Sequence, residues 1–129
     1  MLMHGIVNPQ VLSLLSRVRH TNSLVIAAAA FPFWPEIVTV DISFVKGIPT
    51  VLQVLAGIRA NWKCGAVHMA QEFVTHNDRK TRAAFVKACR GCEVQFEPHL
   101  EFKKRVPHAI GLIRTGDTTL YGNMILVSA

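Results

Sequence analysis

The run Leu24-Val25-Ile26-Ala27-Ala28-Ala29-Ala30 constrains this chain more than any other stretch. Seven apolar residues in succession, with no polar residue at alternate positions, describe a strand buried on both faces, and they fall far short of a membrane span. Burial on both faces requires cover on both sides, so helices must flank the sheet. The chain supplies one at once. Asn8 caps, Pro9 takes the first helical position, and Val11, Leu12, Leu14, Leu15 and Val18 share one face of a helix predicted to end near Arg19. That delivers His20 into a polar turn, Arg19-His20-Thr21-Asn22-Ser23, ahead of a strand over residues 24–29. Beyond the strand, Phe31-Pro32-Phe33-Trp34-Pro35 breaks regular structure and offers aromatic surface.

The alternation of strand and helix continues. Residues 37–42 are β-branched and read as a second strand. Pro49 opens a helix reaching about Asn61, with Val51, Leu52, Val54, Leu55 and Ile58 inward. A short strand over 66–69 follows, then a helix over 78–90 capped by Asn77, with Ala84, Phe85 and Ala88 toward the core. A strand over 94–96, a short helix over 99–105, and strands over 109–114 and 124–127 complete the chain, the last two joined by residues 115–123. This order predicts an α/β fold, a three-layer sandwich with a mostly parallel sheet, in one domain spanning 1–129. Functional groups in such sheets gather in loops at strand ends. The His20 turn, the His99 helix and the Tyr121 loop are therefore the candidates.

Composition removes several classes. Only 17% of residues are charged and half are hydrophobic, so a largely disordered chain is excluded. The net charge of +6 raises an anionic partner. Yet its two local clusters, Arg79-Lys80-Thr81-Arg82 and Lys103-Lys104-Arg105, carry no interleaved aromatics and read as solvated helix faces, so no nucleic acid is expected. Three cysteines make no disulfide framework and suit a reducing compartment, hence a cytoplasmic protein with no membrane attachment. A helix precedes the 24–30 run, so the run is not read as a signal peptide.

Motif chemistry narrows further. Cys64-x3-His68 with Cys89-x-x-Cys92 has zinc-compatible residue types, but nothing brings the two pairs together, and the first pair is expected on one side of an extended strand. Cys89-x-x-Cys92 follows a helix, where a thiolate is not favoured. There is no Gly-rich phosphate loop and no nucleophile elbow, so neither metal nor cofactor is expected. What is concentrated is a set of groups that handle hydroxyls: His20, His99, Lys103, Arg114, Asp117, Tyr121 and Asn123. Arg114 and Asp117 are also placed to pair across a turn.

These pieces also carry a resemblance. His4-Gly5-Ile6-x-Asn8, His20-Thr21 before Val25-Ile26-Ala27, Val40-Asp41-Ile42-Ser43, Gly47-Ile48-Pro49, His99-x-x-Phe102-Lys103, Ile113-Arg114-Thr115-Gly116-Asp117 and Tyr121-Gly122-Asn123 occur in one order along the chain. In this the chain resembles the ribose pyranase and fucose mutarotase family. The resemblance implies a ribose-pyranase-like fold and a homo-oligomer, a decamer of stacked rings. The activity it implies is exchange between cyclic forms of a free monosaccharide such as ribose or fucose. It makes His20 the catalytic acid/base, and His99, Lys103, Tyr121, Gly122 and Asn123 sugar-binding positions. Where the family has an aspartate that binds sugar and accompanies the histidine, this chain has Ala28. Two readings follow: an isomerase in which Asp41 or Asp117 substitutes, or a non-catalytic monosaccharide-binding protein of the same fold. Phe31, Phe33 and Trp34 are read as sugar-stacking or, slightly favoured, subunit-interface residues.

Overall fold

In the computed structural model, which describes residues 1–129, the first part of the 24–30 run lies in a central strand with partners on both edges and cover on both faces. The elements in order are α1 (Pro9–Leu15), β1 (Ser23–Ala27), β2 (Val38–Asp41), α2 (Val51–Arg59), β3 (Cys64–Ala70), α3 (Gln71–His76), α4 (Arg79–Ala88), β4 (Glu93–Glu97), α5 (His99–Arg105), a 3-10 turn (Val106–His108), β5 (Gly111–Arg114) and β6 (Met124–Ser128). They form one six-stranded sheet in the order β2-β5-β1-β6-β3-β4. β5 pairs parallel to β1 with Leu24 opposite Gly111 and Ala27 opposite Arg114. On the other edge β6 runs antiparallel, with Ile26 opposite Met124. β6 is antiparallel to β3 as well, whereas β2–β5 and β3–β4 are parallel pairs. The sheet is therefore mixed and mostly parallel, with β6 alone reversed.

The unbroken apolar character of β1 follows from two separate cores. Leu24 and Ile26 pack with Val11 and Leu14 of α1, Val51, Leu55 and Ile58 of α2, Phe73 of α3 and Phe85 of α4. Val25 and Ala27 point the other way, to Phe31, Phe102 of α5 and Val106. The outer layers are unequal: four helices cover one face, and α5 with its following turn covers the other.

Local chemistry sets the element ends. Asn8 Oδ1 accepts the Val11 N–H at 3.0 Å, and Thr50 with Gln53 forms a reciprocal capping box on α2. Several expected boundaries shift, three of them for a local reason that the hydrogen bonds show. α1 stops at Leu15, because the N–H groups of Arg17 and Val18 turn back to Leu14 and Leu15 in tighter bonds. α2 begins after Thr50 rather than at Pro49, since the hydroxyl is the cap. β1 ends at Ala27, because the Ala28 N–H leaves the ladder for a side chain, Asn123. Ala84, expected in the core, is exposed on α4. α3 follows β3 directly and has no counterpart in the sequence reading.

Candidate functional site

Because β6 alone is reversed, its first residues lie at the same edge of the sheet as the last residues of β1, β5, β3 and β4. Four connections meet there: residues 28–32 after β1, 115–123 between β5 and β6, α3 after β3, and α5 after β4. Between them is a cavity of about 320 Å³ lined by Ala28 to Pro32, His99, Asp117 to Tyr121, and Asn123.

Each polar side chain in it is held by an identifiable device. The backbone N–H of His99 donates to both Glu72 carboxylate oxygens at 3.1 Å, so a residue of α3 supplies the N-terminal cap that Pro98 lacks. The imidazole sits edge-on to Tyr121, with centroids 5.1 Å apart, and against Phe31 and Phe102 at 6.3 and 6.0 Å. Its Nε2 is buried without a partner. Burial first, and then the Lys103 ammonium one turn along α5, hold its pKa below the ordinary histidine value, with Glu72 opposing. The neutral ring therefore presents one unfilled hydrogen-bonding nitrogen.

Asn123 accepts the Ala28 N–H through Oδ1 at 2.7 Å, which leaves its amide NH₂ as a donor. Tyr121 takes a left-handed conformation (φ 54°), unusual for an aromatic residue, within a loop tied down by Asn77 Nδ2 donating to the Leu120 carbonyl at 2.8 Å. Gly122 is buried behind the cavity, and a Cβ there would meet Thr119 side-chain atoms at 3.1 and 3.3 Å.

The two aspartates considered as substitutes for a carboxylate at position 28 are both committed. Asp117 is buried in the cavity wall, but Oδ2 accepts the Val51 N–H and Oδ1 the Thr119 N–H, each at 2.8 Å. Asp41 is exposed at the end of β2 and accepts from the Ser43 hydroxyl and N–H, which, the hydroxyl foremost, lower its pKa. The expected Arg114–Asp117 pair is replaced by something else. The Arg114 guanidinium donates to the carbonyls of Ala28, Ala29, Phe31 and Pro32 and lies 3.9 Å from Asp41. It clamps the cavity loop.

The structure brings His99, Tyr121, Gly122 and Asn123 together. Lys103 does not line the cavity and reaches it only through its field on His99. His20 is not there: it is exposed in the turn before β1, at the opposite edge of the sheet. At roughly 3.3 Å per residue, the five residues of β1 alone put about 15 Å between them. Glu72 escaped the sequence reading because α3 did. Thr118 and Leu120 lie between two quoted motifs and had no signal of their own.

Elsewhere, Cys64 and Cys89 share the larger core with Cys92 packed against it. Burial pushes their thiols up to about 12 and about 11. His68 lies instead beside Arg105 and His108. A register shift between Cys64 and Ala66 separates Cys64 and His68, which simple alternation would have placed on one side. No three His, Cys, Asp or Glu side chains are grouped so that they would share a metal ion.

With this geometry in view, residues 1–129 match the sequence profile of the RbsD / FucU transport protein family from end to end. The chain belongs to that family. Among RbsD / FucU relatives, the D-ribose pyranase of Chromobacterium violaceum is 37% identical over 125 residues, covering 97% of this chain and 95% of its own. That of Geobacillus kaustophilus is 36% identical over 124 residues, covering 96% and 90%. Bacillus subtilis RbsD, solved in complex with D-ribose, superposes with a TM-score of 0.91 at 28% identity, over 100% of this chain and 98% of that one. The Streptococcus pneumoniae fucose mutarotase, solved with L-fucose, shares the fold at TM-score 0.82 and 20% identity, over 99% and 98%.

Proposed function

We propose that this protein interconverts cyclic forms of a free monosaccharide, with the cavity of His99, Tyr121 and Asn123 as its sugar site. The observation that carries the reading is their convergence, with an unfilled imidazole nitrogen and an amide NH₂ left as a donor, in a member of a family whose relatives include D-ribose pyranases. The chemistry needs a proton delivered to the ring oxygen and one removed from the anomeric hydroxyl. The C–O bond opens to the aldehyde, and reclosure on another oxygen or face returns both protons. No cofactor enters that balance.

His20 is the acid/base in this reading, and its distance from the cavity has a consequence. It serves the cavity of a second copy, so the working unit is a homo-oligomer, by family resemblance a decamer. A ring in which the His20 edge of one subunit meets the cavity edge of the next is a head-to-tail arrangement that closes. Exposed apolar residues beside the cavity support it: Phe33 is 71% exposed, Phe44 82% and Leu120 57%. The 129 residues act as one domain. No helix is long and apolar enough to cross a membrane, and three free thiols support a cytoplasmic setting.

Saturation-transfer NMR on D-ribose and L-fucose tests the activity. Added protein is expected to speed exchange between ring forms, and His20→Ala to reduce that acceleration by about 10²-fold or more. No acceleration by the native chain, with exchange appearing only in Ala28→Asp, would make the protein a binder instead.

A further inference from the structure

One wall of the cavity has almost no hydrogen bond left to offer. The side chains of residues 28–32 are three methyl groups, a phenyl ring and a pyrrolidine, and Leu120 extends the apolar surface. The peptide groups beneath are already committed. The N–H of Ala28 donates to Asn123 at 2.7 Å, that of Ala29 to the Asp117 carbonyl at 2.9 Å, and that of Phe31 to the Ala28 carbonyl at 3.2 Å. The carbonyls of Ala28, Ala29, Phe31 and Pro32 all receive the Arg114 guanidinium. Only Ala30, exposed at the rim, keeps its peptide groups free. Across the cavity stand His99, Tyr121, Asn123 and Thr118, with open donors and acceptors. The site is polar on one side and inert on the other.

We propose that the cavity selects deoxy sugars: monosaccharides that turn a C–H, CH₂ or CH₃ edge to the wall of residues 28–32 and their hydroxyls to the opposite side. This rests on the ring-exchange reading and adds a specificity rule to it. A hydroxyl pressed against the wall gives up water and finds no partner in exchange, a penalty that a C–H edge avoids. Apolar surfaces reject an added hydroxyl incompletely, by up to about 10²-fold. The expected preference is therefore graded. Arg114 sets the rule along with the alanines, because its clamp removes the carbonyls that would otherwise receive a sugar hydroxyl.

Sugar pairs that differ by a single oxygen test this directly: 2-deoxy-D-ribose against D-ribose, and L-fucose against L-galactose. Exchange rates at several sugar concentrations give kcat/KM for each. The deoxy member of at least one pair is expected to be favoured by about 10- to 100-fold. Ala29→Ser, which adds a hydroxyl at an exposed position of the wall, is expected to narrow that gap several-fold. Equal or better use of the hydroxylated sugar in both pairs would overturn the rule while leaving the exchange activity standing. A gap unmoved by Ala29→Ser would also count against it. If no sugar of either pair is accelerated or bound, the exchange reading itself fails, and the rule with it.

Discussion

At the scale of the residue, His99 shows how one side chain is kept ready. Its folded-state pKa lies below the ordinary value near 6.5 because of burial and then Lys103, so the unfolded chain binds the proton more readily. The sign follows: this contribution to stability is complete above the ordinary value and is lost as pH falls toward and through the folded one. Sugar binding by the neutral ring should follow the same acid limb. Lys103→Met is expected to raise the His99 pKa in an NMR titration and to move the loss of binding to higher pH; an unmoved titration would remove Lys103 from the site. The sequence placed both residues on one predicted helix, 99–105, where residues four apart are neighbours, but named Lys103 as a sugar contact rather than as a partner of His99. It did not disclose the inert wall. That property resides in peptide groups, and their partners, Arg114 and Asn123, are distant in sequence from residues 28–32.

At the scale of the element, the turn over residues 45–49 and the segment 115–117 act as one piece. The Gly116 N–H donates to the Pro49 carbonyl at 2.9 Å and its carbonyl accepts from Gly47 at 2.6 Å. A Cβ on Gly116 would run into the backbone carbonyls of Val45 and Ile48, which have no side-chain freedom with which to yield. Gly116→Ala is expected to cost about 1–3 kcal/mol, read as a lower urea midpoint at unchanged slope, and to weaken sugar binding by displacing Asp117. Helices with chemical punctuation were legible in the sequence: α5 occupies the residues expected, and α4, capped by Asp78 rather than Asn77, lies within those expected. α3 was not, because Ala70 provides no cap and the strand before it runs straight in. Nor was the reversal of β6, since an apolar strand carries no mark of its direction.

At the scale of the whole molecule, the proposed division of the site between copies makes a prediction about mixtures. His20→Ala and His99→Ala should each keep only about 1% or less of the exchange activity alone. Refolded together at equal amounts, random assembly pairs an intact His20 edge with an intact cavity at about one quarter of the joints. Exchange activity in the mixture near that fraction, well above that of either variant alone, would establish sharing, and no rise would show that each chain works by itself. The path of the final strand bears on how such experiments are built. Thr21 donates to the Ser128 carbonyl at 3.0 Å, and the Ser128 N–H returns to Asn22 at 2.9 Å. Anything genetically fused after Ala129 thus leaves the protein a residue or two from His20. In the proposed ring, a fluorophore or affinity tag attached there would report on, and crowd, the joint with the neighbouring copy and that neighbour's cavity, while the cavity of its own chain lies at the far edge of the sheet.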